Sequence, residues 1–423
     1  MTVPASVWPR VGALYLTGLV AAAQLGKLSA LAPLIAADLG LGLPVLALAI
    51  SLLELGGATL GAAAGLLAQR AGLRRCLQWG LAALAVGGLG GASSQSALGL
   101  LGWRLLEAAG YLGVIVSAPV LIAQHSARHG ERPDAPGGGL AAHRQQGLAL
   151  AVWSTFVPVG LALGAWACAG LAGSLGWRAA MAAGGLAAGC LWLALWRLPQ
   201  PVPQPVPAPV PMLAGAAPAG GLSQASPTSA PGGLGSLGQP AWCLALAFGG
   251  FALFEVGLMG LLPSLLVGQA GLPAAEAGRW TALASAAAVP GSVVAAWLLR
   301  RSGGLRWPVM LSLGLPAALL FAVFTPAPAL AAALAAAIAI SVLGGLFAGL
   351  AFAWMPVVAG SAGRLAPVNG LLAQCGASGS LLGPPLMAAS VQAVGWSGAA
   401  WLGLAVTLLA LPLAWRAMGP AGR

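Results

Sequence analysis

Charge is what this chain has least of. Only 6% of its 423 residues are Asp, Glu, Lys or Arg, against roughly 25% in soluble domains. With 59% hydrophobic residues, it has too little polar surface to face water all round, so the solvent for most of it is lipid. Acid is scarcer still: seven acidic residues stand against 18 basic ones, for a net charge of +11. The basic excess falls in short clusters between apolar runs, not on one patch, which excludes nucleic acid as a partner. Histidine occurs three times, as His125, His129 and His143, all beside one loop. No apolar run therefore carries the base an intramembrane hydrolase needs, and no HExxH or GxSxG context is present. A Gly-x-x-x-x-Gly-Lys-Ser/Thr loop is also missing, so ATP is not the driver through a P-loop. The five cysteines, Cys76, Cys168, Cys190, Cys243 and Cys375, form no CxxC pair. They read as small buried apolar residues, not as a disulfide framework or a zinc site. No cofactor and no metal is expected.

What is present is a series of apolar runs near the roughly 20 residues that a spanning helix needs. They are 11–36, 44–67, 76–92, 97–123, 147–171, 177–196, 240–267, 279–299, 307–324, 328–354, 367–390 and 397–415. The first continues past Ala30 into another span, so it reads as a retained helix and not a cleaved signal. Glycine, with 64 copies, suits close packing of membrane helices. Residues 198–239 break the series. Alternating prolines (PQPVPQPVPAPVP) followed by Gly and Ser cannot form a span and read as an extended linker. The expected organisation is two six-helix bundles, 1–197 and 240–423, joined by that linker. Orientation follows from the arginines. Arg10, Arg70, Arg74, Arg75, Arg128, Arg132, Arg144, Arg197, Arg300, Arg301, Arg306, Arg364, Arg416 and Arg423 fall on one side, and Arg178 and Arg279 on the other. The positive-inside rule then places both termini in the cytoplasm.

The loops after the second and eighth runs match. Ala68-Gln69-Arg70-Ala71-Gly72-Leu73-Arg74-Arg75 and Leu299-Arg300-Arg301-Ser302-Gly303-Gly304-Leu305-Arg306 both read basic, small, Gly, Leu, Arg. This points to duplicated halves related by an axis along the membrane normal. Over nearly its whole length the chain resembles a major facilitator superfamily transporter. Gly65, Arg70, Gly72, Arg74 and Arg75 are similar to that family's loop between helices 2 and 3, with Gln69 in place of the usual aspartate. The resemblance implies that this loop, with Arg301, Gly303 and Arg306 in the second half, gates the alternating-access cycle. Arg104 to Gly110 resembles the family's Arg-x-x-x-Gly-x-Gly motif, associated with proton coupling, with Ala108 replacing its first glycine. Gly379 to Pro384 resembles the Gly-Pro motif that antiporters carry in span five, here displaced to span eleven. Gln24 to Lys27, Trp153 to Gly160, and Asn369-Gly370 with Gln374 are similar, more weakly, to members related to cyanate permeases.

Five ionisable residues fall inside the runs: Lys27, Glu54, Arg104, Glu107 and Glu255. A charge at a helix centre costs at least ~2.5–3.5 kcal/mol, so each must face a wet cavity or find a partner. At 1.5 Å per residue, Lys27 lies roughly 13 Å deep, Arg104 roughly 10 Å and Glu107 roughly 15 Å, near a common level. Gln24 shares a face with Lys27, and Tyr111 shares one with Arg104 and Glu107. The resembled fold lines its cavity with spans one, four, seven and ten. The expected solute contacts are Lys27, Gln24, Arg104, Tyr111, Glu255 and Gln374, with Glu107 and Glu255 as proton carriers. For Lys27, the only lysine, two readings stand: contact with a substrate anion, or a structural pair with Glu54 or Glu107. Asn369, Gln374 and Ser378 are either contacts or interhelical glue.

The expectation is therefore a monomeric, multi-pass secondary active transporter of the inner cell membrane. It moves a small solute, an organic or inorganic anion, with protons as the candidate coupling ion. The alternative is proton-coupled efflux of amphipathic compounds. Reporter fusions test the topology. Fusions at Gly137, Gly220 and after Arg423 should report cytoplasm, and one near Gly271 the opposite side; Gly137 and Gly271 reporting the same side contradicts the two-half arrangement.

Overall fold

A computed structural model describes residues 8–41, 43–130, 138–197, 235, 237–272, 274–301, 304–325 and 329–419. The linker 198–239 therefore lies almost wholly outside the described residues, as do Gly303 and the loop holding Glu131, Arg132 and Asp134. Regular structure among the described residues is helical. The first half has α1 (Trp8–Leu39), α2 (Leu43–Ala71), α3 (Leu73–Ala92), α4 (Ala97–Gly130), α5 (Gly138–Trp153) and α6 (Phe156–Arg197). The second has α7 (Gln239–Gly268), α8 (Ala274–Ala286), α9 (Ala288–Arg300), α10 (Arg306–Val323), α11 (Leu330–Ala359), α12 (Leu365–Val394) and α13 (Ser397–Met418), with a 3₁₀ turn at Ala362–Arg364. Helices answer the requirement that backbone N–H and C=O groups in lipid be satisfied within their own segment.

Among the described residues, ten stretches are long and apolar enough to cross a membrane. The sequence reading expected twelve, and the two that fall short are α3 and α12. α3 opens on Arg74 and Arg75 and is rich in glycine, while α12 carries Asn369, Gln374, several serines and Pro384-Pro385. Two expected runs are also broken. The fifth bends at Ser154 and Thr155, between α5 and α6, and the eighth at Ala287, between α8 and α9. Each break stands three or four residues before a proline, Pro158 or Pro290, which cannot donate to the carbonyl one turn back. The Ser154 and Thr155 hydroxyls donate to the Ala151 and Val152 carbonyls at 2.7 and 2.8 Å, fixing the bend. Conversely, the fifth and sixth runs join into the single element α6, kinked at Gly176, whose φ of 81° falls in the left-handed region. All five cysteines are free, and Cys190 is exposed on the helix surface where burial was expected.

In the first half α1 packs on α6 and α4, α3 lies between α4 and α6, and α2 rests on α4. In the second half α7 packs on α12 and α13, and α11 on α9 and α10. Two seams join the halves, α2 with α12 and α5 with α9 and α11. The first depends on missing side chains. A Cβ on Gly65 would sit 2.7 Å from the Ala366 carbonyl oxygen, and one on Gly61 2.8 Å from the Gln374 nitrogen. Such approach is how membrane helices gain contact where burial from water gives them none. Polar side chains then stitch the seam. Gln374 Oε1 accepts from the Ala62 N–H at 3.0 Å, and Asn369 Nδ2 donates to the Val116 and Ile115 carbonyls at 2.9 and 3.2 Å. In the second seam Ser154 Oγ lies 3.1 Å from Ser292 Oγ.

The loop residues fall at the end of these seams. Gly72, at φ 96°, is the single residue between α2 and α3 and permits their tight reversal. Gln69 donates to the Gly363 carbonyl across the α2–α12 seam. Arg74 reaches the Leu195 carbonyl at 3.1 Å, while Arg70 and Arg75 are exposed. In the second half Arg301 stacks on Trp297 and Arg306 on Trp415. In a background with the native cysteines replaced by alanine, Gln69→Cys with Gly363→Cys should cross-link efficiently. Adding Gly65→Leu should reduce that cross-link severalfold by forcing α2 from α12; unchanged cross-linking shows that the close approach does not hold this end together.

Candidate functional site

Two polar sites lie inside the helical bundle. The first is a buried ion triad in the wall of the first half. Glu107 of α4 receives Lys27 Nζ of α1 on Oε1 and Arg104 Nη1 on Oε2, the latter at 2.5 Å. All three are 1% exposed. Arg104 Nε also donates to the Ala49 carbonyl of α2 at 3.0 Å. Gln24, one turn from Lys27, donates to the Val20 and Gly184 carbonyls at 3.0 and 3.4 Å. Glycines of the neighbouring helices make the room. A Cβ on Gly87 of α3 would lie 2.6 Å from Glu107 Cγ, and one on Gly184 of α6 3.2 Å from Lys27 Cδ. The triad thus faces α3 and α6, with two cations on one carboxylate. Arg104 Nη2 and Gln24 Oε1 are buried with no hydrogen-bond partner among the described residues.

The second site is a central cavity of about 330 Å³ between the halves. The first half contributes Glu54, Tyr111, Ile115, Trp153 and Phe156; the second contributes Phe248, Phe251, Glu255, Ser292 and Phe352. Tyr111 and Glu54 lie side by side in this lining. Glu255 accepts from Ser341 at 3.1 Å through Oε1, while Oε2 is buried with no partner among the described residues. Rings crowd beside it: Phe251 lies 5.0 Å from Phe347 and 5.7 Å from Phe248, and Phe248 5.5 Å from Phe352, between centroids. Across the cavity Trp153 and Phe156 stack at 4.3 Å. Among the described residues no Lys, Arg or His lines this space.

Of the expected solute contacts, Tyr111 and Glu255 line the cavity, and Asn369, read as a contact or as interhelical glue, lines it as well while donating to α4 carbonyls. Lys27, Gln24, Arg104 and Glu107 meet one another in the wall instead, and none of them lines it. Gln374 faces α2 in the seam. Glu54, one of the two partners offered for Lys27, lines the cavity beside Tyr111 instead. The aromatic lining was not anticipated. A signal was available: Phe248, Phe251 and Glu255 recur at helical spacing on one face of α7, and four of the eight phenylalanines line the space.

Paired helical halves, apolar spans and a solute-sized space between them define a membrane transporter. The Major Facilitator Superfamily model matches residues 14–376, and the chain belongs to that family. Solved structures share the fold. The proton:xylose symporter XylE bound to 6-bromo-6-deoxy-D-glucose aligns at a TM-score of 0.71 and 14% identity, over 97% of this chain and 95% of its own. The human organic anion transporter MFSD10 (TETRAN) aligns at 0.68 and 18%, over 96% and 98%. A bacterial homologue of the iron transporter ferroportin, in an outward-facing state, aligns at 0.67 and 17%, over 96% and 98%. At these identities the likeness is one of fold alone. No curated protein matches the chain in sequence.

The triad makes a stability prediction. Glu107→Gln strands two buried cations and should cost on the order of 3–5 kcal/mol. Lys27→Met leaves a neutral Arg104–Glu107 pair and should cost clearly less. Thermal unfolding of the purified variants checks the order; equal losses, or a larger one for Lys27→Met, contradict the triad as a structural unit.

Proposed function

We propose that this transporter carries an amphipathic solute with a cationic centre and exchanges it for protons through the central cavity. The observation that carries this reading is the cavity lining: one carboxylate from each half, Glu54 and Glu255, among aromatic rings, and no cation among the described residues. A carboxylate in so apolar a space is stable when protonated or when a cation balances it, and costly in between. Proton and cation therefore compete for the same groups, which is the requirement for exchange. The rings add attraction for an ammonium over their faces. The binding space sits between the halves 1–197 and 240–423, with 198–239 as the connection.

The wider organisation belongs to the same proposal. We infer twelve crossings, counting α3 and α12 with the ten apolar stretches. Both have at least 20 residues, and both are packed among spanning helices, α3 between α4 and α6 and α12 between α7 and α2. The arginine distribution supports cytoplasmic termini, and we place the protein in the inner membrane as a monomer. In that orientation the Gln69–Gly363 end of the α2–α12 seam lies on the cytoplasmic side.

A second reading keeps the anion. Arg104 Nη2 and Gln24 Oε1 are buried and unpartnered among the described residues, and the triad has one positive charge in excess. Solute contact by Lys27 and Arg104 then requires α1 and α4 to open toward it. Liposome assays separate the two readings. The permanently charged benzyltrimethylammonium should enter faster when the vesicle interior is acidic, and Glu255→Gln should remove that acceleration. Undiminished acceleration in Glu255→Gln, or pH-driven uptake of small carboxylates or cyanate instead, overturns the cation reading.

A further inference from the structure

We propose that the outer groove between α2, α3 and α4 is a binding site for an anionic phospholipid, with one acyl chain in the groove and the phosphate on Arg70 and Arg75. The site lies on the opposite side of α2 and α4 from the central cavity and is independent of the transported solute.

The groove has a volume of about 460 Å³ and is lined mainly by Leu, Ala and Gly, with Thr59, Cys76, Trp79, Val116 and Ser117 completing it. Its α2 wall runs from Leu52 to Ala68. At 1.5 Å per residue that is roughly 24 Å. One leaflet of a ~30 Å hydrocarbon core is about half that core, so the groove is long enough to take a chain along its full depth. Gly56 lines the groove where α2 meets α4: an added Cβ would already touch the Ala108 carbonyl oxygen at 3.6 Å, ordinary van der Waals contact, so a larger side chain there would take up groove space.

Its end at the α2–α3 turn is basic. Leu67 is the last large side chain of the α2 wall, and Arg70 follows it by three residues on the same helical face. Trp79 belongs to the α3 wall, and Arg75 precedes it by four, again on the same face. The two arginines thus extend the two walls beyond the apolar part. Both are exposed, and neither has an ion pair or hydrogen bond among the described residues. No acidic residue lies in the last turn of α2 or anywhere in α3. Gln69 stands between them and donates to Gly363 across the seam, so it supplies no negative charge. An apolar trough ending in two unneutralised guanidinium groups at the membrane surface complements a single lipid that carries acyl chain and phosphate together. Each guanidinium offers paired donors to phosphate oxygens.

Trp79 is 64% exposed at the groove, which makes it a reporter. The full-length protein is reconstituted in phosphatidylcholine vesicles containing increasing fractions of phosphatidylglycerol brominated on its acyl chains. Bromine quenches nearby indole fluorescence, and the difference from Trp79→Phe isolates the Trp79 signal among the 16 tryptophans. Half-maximal quenching of Trp79 should need a severalfold smaller fraction of brominated phosphatidylglycerol than of brominated phosphatidylcholine. Arg70→Gln with Arg75→Gln should remove that preference. Gly56→Leu, which fills the trough and leaves both arginines, should lower quenching by either lipid. Added inorganic phosphate at moderate concentration should leave the preference in place, because a free ion brings no acyl chain. Equal quenching of the isolated Trp79 signal by the two lipids, with both arginines in place, overturns the proposal. A preference that survives the double arginine change overturns the headgroup assignment.

Discussion

In lipid, an apolar side chain gains nothing by leaving its solvent for a neighbouring helix, so the bundle depends on how closely its helices can approach. Glycine sets that distance here. Gly61 and Gly65 let α2 settle against α12 until backbone meets backbone, and Gly87 and Gly184 let α3 and α6 close over the Lys27–Glu107–Arg104 triad. Packing and polarity are thereby linked. Only when the backbones touch can Gln374, Asn369 and Gln69 reach main-chain groups of the opposite half. Side chains that would be costly alone in lipid become the connection between halves.

The few charges divide by whether they are balanced inside the protein. Glu107 meets two cations from its own half, an arrangement fixed by helices that stay together as a bundle. Among the described residues Glu255 is hydrogen-bonded by the Ser341 hydroxyl alone and Glu54 lies beside Tyr111, and both face the space between the halves. A balanced group gives rigidity to one bundle. An unbalanced group leaves a requirement that a proton or a solute meets. The cavity carboxylates, one from each half, therefore connect occupancy to the contact between halves.

Much of this was legible in the sequence. Apolar runs gave the helices, and the need for glycine at position 72 is met by the reversal between α2 and α3. The common depth of Lys27, Arg104 and Glu107 was readable from counting residues, and the three do meet. What counting could not supply is which neighbour a face meets. Helical spacing puts Gln24 beside Lys27 but is silent on whether that face turns to the cavity or to α3 and α6. Gln374 was ambiguous for the same reason. The breaks at Ser154–Thr155 and Ala287 needed the missing N–H groups of Pro158 and Pro290 to be weighed against otherwise continuous apolar runs. α3 and α12 fall short as apolar spans because they carry the polar and small residues that face other helices.

The central claim is that the solute sits between the halves against Glu255 and the phenylalanines, and not in the wall against Lys27. An experimental structure of the protein with benzyltrimethylammonium bound tests this most directly. The account predicts ligand density in the central cavity, with the ammonium over the Phe251 or Phe248 ring, within about 6 Å of its centroid, and turned toward Glu255. Density lodged beside Lys27 and Arg104, or a pose with the ammonium facing away from both Glu54 and Glu255, contradicts it.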